Sequence, residues 1–232
     1  MGGITHYPRP RFRKKEISYS AVYLHFARWS RDGSFKRLWQ HSLHTVGDAL
    51  DLSELNLDGS HCLAKKGGES VAYQGRKKGK TCNILPIMDK HGYVVASTGI
   101  IAGQHHDAFN LKVHLQTAFR EMKQVGLSIK DAYFNADMAF DTREARKTCF
   151  NYGLIPNIPE NPRNRSQTKR GRKRLFNASV YTGRFSAERT FAWVDKFKRL
   201  LIRFERYDAC FLGAHYLAFA LINLRHVLGR GA

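Results

Sequence analysis

Between residues 50 and 158 the spacing of apolar residues switches between two periods. That switching restricts the fold more than any other feature of the chain. Leu55 and Leu57 alternate with Asn56 and Asp58, which is the period of a strand. Residues 81–89 (TCNILPIMD) and 93–101 (YVVASTGII) flank Lys90-His91-Gly92, which predicts a hairpin. From Asn110 to Val125 the pattern is helical, with Leu111, Leu115, Ala118, Phe119 and Met122 on one stripe. Ala132–Ala136 reads as a short strand. Asp141, followed by Glu144, reads as a capping box opening the next helix. Leu154–Ile158 is another short strand, closed by Pro159 and Pro162. A basic loop and then helices run to the end.

Parallel strands need crossover helices, whereas antiparallel neighbours need only turns. The order strand, hairpin, helix, strand, helix, strand therefore predicts an α/β fold. Its centre is a ribonuclease-H-like mixed sheet flanked by helices, with a short helical N-terminal segment. In that sheet the strand ending at Asp58 lies beside the strand ending at Asp137. The expected division is 1–47 and 48–232. The first part opens with a basic arm holding Arg9, Arg11, Arg13, Lys14 and Lys15 among prolines. Ser18 or Ser20 then caps a helix carrying Val22, Tyr23, Phe26 and Trp29, and Asp32-Gly33 breaks it. Phe35, Leu38 and Trp39 restart the stripe, giving a helix-turn-helix-like pair. An aromatic stripe on two helices is more often the mark of plain packing.

Lys and Arg number 39 against 19 for Asp and Glu, a formal net charge of +20. Such an excess points to nucleic acid, with an anionic membrane surface as the lesser option. Cys62, Cys82, Cys149 and Cys210 form no C-x-x-C pair, which speaks against a zinc ribbon and for reduced, buried thiols in a cytoplasmic protein. The basic N-terminus lacks the apolar core of a signal peptide. The apolar run Tyr216–Leu224 is too short to span a bilayer.

Against this charge three acids stand out: Asp58 in LNLDGSH, Asp137 in AYFNADMAFD and Glu188 in YTGRFSAERTFAW. A carboxylate on a polyanion-binding face opposes binding unless it holds a cation. Magnesium takes hard oxygen ligands and one or two carboxylates per ion. Two such ions, about 3.5–4 Å apart, can drive in-line displacement at a phosphodiester. Three carboxylates suffice if one bridges. Each acid also has a plainer reading. Asp58-Gly59 is a turn signal, and Asp137 can cap a helix. Glu188 can be solvated surface, because Tyr181, Arg184, Glu188, Asp195 and Arg199 share one helical face opposite Trp193, Phe197, Leu200 and Phe204.

Two basic clusters bracket the acids. Lys65, Lys66, Arg76, Lys77, Lys78 and Lys80 lie among glycines, which let a backbone approach phosphates. Arg163, Arg165, Arg170, Arg172, Lys173 and Arg174 lie in a stretch without acids. A single charge run is usually a solvated loop, but two beside the acids favour DNA contact. His105-His106-Asp107 reads as a cap for the following helix, since histidine suits magnesium poorly.

The chain resembles the DDE-type insertion-sequence transposases, in particular the insertion sequence five family within the insertion sequence four group. The matching segments are YSAVYLHFARWSRDGSFKRLW, LNLDGSHCLAKKGGESVAYQGRKKGKTCNILPIMDKHGYVV, GQHHDAFNL, YFNADMAFD, GLIPNIPENPRNR and GRFSAERTFAWVDKFKRLLIRFERYD. The resemblance implies that 48–232 is a catalytic domain with Asp58, Asp137 and Glu188 as its metal-holding triad. It implies Mg²⁺, replaceable by Mn²⁺, as cofactor, and double-stranded DNA, both element ends and target, as partner. It also implies a homo-oligomer on DNA, acting at the nucleoid in a bacterial cytoplasm. Tyr181 and Arg184 sit at the family's Tyr and Arg offsets. The family's Lys position is filled by Asp195, with Lys196 next to it, and Arg199 follows on the same expected helix. After the second Asp, Met138-Ala139-Phe140 stands where Lys-Gly-Tyr is usual. Relatives carry more helical sequence before YSAVYLHFARW, so an N-terminally truncated copy or a frameshift partner is also implied. Two alternatives stay open: a catalytically silent DNA-binding remnant, and a domesticated nuclease that cuts without joining.

Overall fold

A computed structural model describes residues 17–162 and 175–228. One long antiparallel ribbon organises it. β1 (Glu54–Leu57) pairs with β5 (Pro86–Asp89), and β2 (Ser60–Ala64) pairs with β4 (Gly79–Ile84) in a continuation of the same register. Leu55 faces Asp89 at one end and Leu63 faces Thr81 at the other, with no slip between. The ribbon leaves one sheet for another at Asp58-Gly59, opposite Leu85-Pro86. Asp58 N–H reaches the Pro86 carbonyl at 3.5 Å, and Pro86, having no N–H, cannot return the bond. Gly59 allows the close crossing: a Cβ there would meet Leu85 Cδ2 at 3.1 Å and Asn83 Nδ2 at 3.4 Å.

The first sheet has the order β6-β5-β1-β8-β9, with β6 at Val94–Ser97, β8 at Tyr133–Asn135 and β9 at Ile155–Asn157. β1, β8 and β9 are parallel, while β5 and β6 run antiparallel. Numbered within the sheet, this is the 3-2-1-4-5 order of a ribonuclease-H-like core, as the element order predicts. α3 (Leu111–Gln124) precedes β8, and α4 (Arg143–Asn151) carries the chain from β8 to β9. All five apolar residues of the predicted α3 stripe are buried. Phe119 meets Phe134 edge-on, with centroids 5.4 Å apart, over Leu55 and Leu57. The opposite face is covered by α5 (Ala178–Tyr181) and α6 (Phe185–Val194). The second sheet runs β10-β2-β4-β3, with β3 at Ala72–Gln74, β10 at Ile202–Arg203 and β7 (Ile101–Ala102) also on β4.

α1 (Tyr19–Arg31) and α2 (Ser34–Thr45) lean on the long α8 (Asp208–Leu228). Ser18 caps α1, accepting from Ala21 N–H at 3.2 Å. Trp39 locks α2 in place: it is 2% exposed, stacks on Tyr216 at 5.3 Å, and its Nε1 donates to the Val94 carbonyl at 3.0 Å. Among the described residues no helix is long and apolar enough to cross a membrane. All four cysteines are free and buried. Burial pushes Cys62 and Cys149 up to about 12, so they are neutral thiols at ordinary pH.

Several local expectations change. The run 81–89 is not one strand, because Pro86 splits it between the sheets. The hairpin about Lys90-Gly92 is real but narrower, Pro86–Asp89 against Val94–Ser97. Thr142, not Asp141, caps α4, its Oγ1 accepting from Ala145 N–H at 3.1 Å. Asp141 instead accepts from Arg146 Nε at 2.8 Å and from Asn161 N–H at 3.0 Å. The expected helix through 181–204 ends at Val194, because the chain must turn for β10 to pair parallel with β2. α7 (Lys198–Leu201) is a separate single turn.

Two predictions follow from this packing. Trp39→Ala should cost about 3–5 kcal/mol in urea denaturation, since it opens a cavity and removes a buried hydrogen bond. The second concerns Asp89, which closes the β5–β6 hairpin by accepting from Asp51, His91 and Tyr93 N–H groups. Burial raises its carboxyl from 3.8 to about 6. The folded chain therefore binds this proton more tightly than the unfolded chain. The stability it contributes is complete below 3.8 and is lost as pH rises through about 6. Carboxyl-carbon NMR should find Asp89 titrating near 6; an ordinary value would contradict this.

Candidate active site at the strand ends

A row of amides lies beneath the candidate site. Asn56, Asn135 and Asn157, one from each parallel strand, are all buried. Asn135 Nδ2 donates to Asn56 Oδ1 at 2.9 Å, and Asn157 Nδ2 donates to Asn135 Oδ1 at 2.8 Å. The row then grips the covering segment. Asn56 Nδ2 donates to Ser186 Oγ at 3.1 Å, Asn135 Nδ2 to the Val180 carbonyl at 3.4 Å, and Asn157 Oδ1 accepts from Asn177 N–H at 2.8 Å. Residues 177–186 are thus pinned over the ends of β1 and β8. Gly183 comes so close to Glu54 that any Cβ would overlap Glu54 Oε2.

Two residues beyond Asn56 and Asn135, which are partners in the β1–β8 register, stand Asp58 and Asp137. A strand repeats its facing every second residue, so both acids continue the amide face. Asp58 Oδ1 accepts from Gly59 N–H at 2.9 Å, and Asp137 Oδ1 from Met138 N–H at 2.6 Å. Asp137 thus also caps the short turn Met138–Phe140. Arg184 Nη2 reaches Asp58 Oδ2 at 3.2 Å, and its Nη1 donates to the Tyr181 hydroxyl at 2.9 Å. Burial raises the Asp58 carboxyl, Arg184 and the Gly59 N–H oppose that rise, and the Asp137 charge adds to it. Both acids in turn hold the Arg184 proton more firmly, against the effect of its burial. The two carboxylates therefore share one field, and Arg184 supplies the cation within it.

Glu188 lies in the first turn of α6, exposed, four residues after Arg184 and so on the same side of the helix. Among the described residues no three His, Cys, Asp or Glu side chains stand together as a metal cage. Asp58 and Asp137 suit a hard divalent cation by their chemistry, being oxygen donors drawn partly out of water in each other's field. Arg199 lies on α7, apart from the Tyr181–Arg184 pair. Its Nε ion-pairs with Glu205, and its guanidinium covers the Phe26 ring at 4.9 Å. Lys196 is exposed in the turn after α6. Lys65, Lys66, Arg76, Lys77, Lys78 and Lys80 are exposed around the β2–β3–β4 turns. Arg163, Arg165, Arg170, Arg172, Lys173 and Arg174 lie outside the described residues, as does the basic arm.

Asp107 does not cap α3; Asn110 occupies that position without a side-chain bond. Asp107 Oδ1 instead lies 3.0 Å from His61 Nε2 and accepts from Asn83 Nδ2 at 2.7 Å. His61, Asn83 and the asparagine row are not among the residues given a role from sequence, and Asp107 is read there only as part of a helix cap. The row did leave a signal: N-x-D occurs twice, as Asn56-Leu57-Asp58 and Asn135-Ala136-Asp137, each time at the end of a strand.

Comparison with known proteins adds the following. The family described as "Transposase DDE domain" matches residues 49–224. No curated protein matches the chain. Among solved structures, "Mos1 transposase paired-end complex with left transposon end" is 14% identical, with a TM-score of 0.34, covering 96% of this chain and 67% of that one. "Crystal structure of the Mos1 mariner paired end complex with Mn" is 13% identical, with a TM-score of 0.35, covering 96% and 68% respectively.

The amide row generates a further prediction. Asn135→Ala strips partners from both Asn56 and Asn157, two buried groups at once. It should cost about 2–4 kcal/mol in denaturant unfolding, whereas a surface position would cost little.

Proposed function

The chain belongs to the DDE transposase-domain family, and we propose that it is the catalytic part of an insertion-sequence transposase, of the insertion sequence five family within the insertion sequence four group. It cleaves double-stranded DNA at element ends and joins the freed end to target DNA, as a homo-oligomer. The observation that carries this reading is the placement of Asp58 and Asp137, each two residues beyond the Asn56–Asn135 pair of adjacent parallel strands and within each other's field, inside the matched segment.

Asp58 and Asp137 would hold Mg²⁺, or Mn²⁺ in its place, with Glu188 as the third ligand. When bound, such ions supply Lewis-acid stabilisation of the attacking and leaving oxygens. The protein's own groups bind and orient. Arg184, steadied by the Tyr181 hydroxyl, stands where a phosphate oxygen would meet its guanidinium. The lysines of residues 65–80 and Arg76 neutralise backbone phosphates and release counterions. Water attacks the phosphorus, the bond to the 3′ oxygen breaks, and a 3′-hydroxyl is freed. That hydroxyl then attacks a target phosphodiester and displaces its 3′ oxygen. No side chain becomes a nucleophile.

A catalytically silent DNA-binding remnant is the second reading. It draws on the exposure of Glu188 and on Met138 and Asp195 standing at positions where the family carries cations. One experiment separates the two. A duplex bearing the sequence that flanks the gene is incubated with Mg²⁺ and with wild-type or Asp58→Asn protein. Cleavage by wild type, lost in the variant while DNA binding persists, is the expected result. Full activity in the variant sinks the assignment. Inactive wild type with no Mg²⁺ uptake by calorimetry favours the remnant.

A further inference from the structure

A cavity of about 470 Å³ opens beside the strand-end acids. His61, three residues beyond Asp58, forms one wall with Gln74 and Arg76. Gln104 and His106 line it as well, together with Ala139, two residues beyond Asp137. The cavity is thus walled by the same two chain segments that carry Asp58 and Asp137.

Its chemistry is selective. Among the described residues Asp107 supplies the only carboxylate of the lining, and it is already engaged by His61 and Asn83. Its acid form is disfavoured chiefly by His61, with a smaller effect from Arg76. Arg76 is exposed at the wall, where its charge acts on Asp107 without a close ion pair among the described residues. His61 Nδ1 and Asn83 Oδ1 are buried without a hydrogen-bond partner among the described residues. Gln74 Nε2 donates to the Gly103 carbonyl at 2.8 Å and Gln104 Nε2 lies 3.2 Å from His105 Nε2, so each amide is held in place and keeps a second N–H for the acceptor edge of a base. The size falls within the range of small-ligand pockets, about 300–1,000 Å³. A cation, imidazoles and amides around one hollow suit a phosphate joined to a heterocycle.

We propose that this cavity seats one nucleotide of the DNA strand adjoining the phosphodiester at Asp58 and Asp137, with its phosphate on Arg76 and its base against Gln74 and Gln104. The inference rests on the reading of those acids as the centre that engages DNA. The shared wall favours a nucleotide within a strand over a free one.

The test needs no catalysis. The imidazole NMR signals of the full chain are followed during titration with thymidine 5′-monophosphate, and separately with a short single-stranded oligothymidylate. His61 and His106 should shift with both probes, and His41 and His44 of α2 should stay still with the mononucleotide. The mononucleotide should compete with the strand. Arg76→Ala, a surface change that spares the fold, should weaken both by about tenfold or more, the loss of a charge-assisted hydrogen bond. Unmoved cavity signals, or equal affinity in the variant, overturn the proposal. Mononucleotide binding that leaves strand binding uncompeted overturns it in favour of a free-nucleotide site. Because the readout is binding, its failure is separate from that of the Asp58→Asn cleavage test.

Discussion

Burying primary amides in a row across three strands is unfavourable unless every donor and acceptor is met. Here each one is met. Asn56, Asn135 and Asn157 bond to one another, and their remaining atoms bond to the Asp89 and Val180 carbonyls, to Ser186 and to the backbone of Asn177. The row therefore does two jobs with one set of contacts. It ties three parallel strands in register, and it fixes the 177–186 segment above them. Arg184 reaches Asp58 only because that segment is held there. Remove the row, and the acids keep their strands but lose the cation over them.

The second constraint is the unbroken ribbon of β1–β2 against β4–β5. A straight ribbon would leave Asp58 as one more residue in a ladder. Pro86 opposite it withholds a hydrogen bond, and Gly59 beside it lets the strands cross closely, so the ribbon bends between sheets at that acid. The bend sets Asp58 between Asp137 on one side and the His61–Asp107–Asn83 cluster on the other. It also explains how a chain of net charge +20 keeps two carboxylates close. They sit on rigid strand ends beneath Arg184, while the exposed lysines of the β2–β3–β4 turns lie on the neighbouring sheet.

Much of the fold was legible. The α3 stripe, the hairpin about Lys90-Gly92, and the strands ending near Asp58 and Asp137 follow from periodicity, because apolar spacing records which face is buried. The losses are equally physical. Period two at Leu55–Asp58 suggests a strand with a polar face to water, yet Asn56 is fully buried, since α6 covers that face. Nothing local tells a solvated asparagine from one bonded to another strand. Thr142 displaces Asp141 as a cap because Asp141 is claimed by Arg146 and Asn161, the latter distant in sequence. Likewise His61, Asn83 and Asp107 come from three separate segments, and no spacing rule links them.

By itself the sequence determined the class of fold, the order of the elements that build the first sheet, and the identity of two acids at adjacent strand ends. Those depend on apolar period and on turn residues, which act over a few neighbours. The second sheet, with β2, β3, β7 and β10, is not in that reading. Tertiary structure alone decided what surrounds the acids: the amide row, the arginine over Asp58, the exposed face of Glu188 and the cavity beside them. Each is a meeting of side chains far apart in the chain. Such meetings are set by strand register and by the burial of polar groups, which only the folded chain resolves.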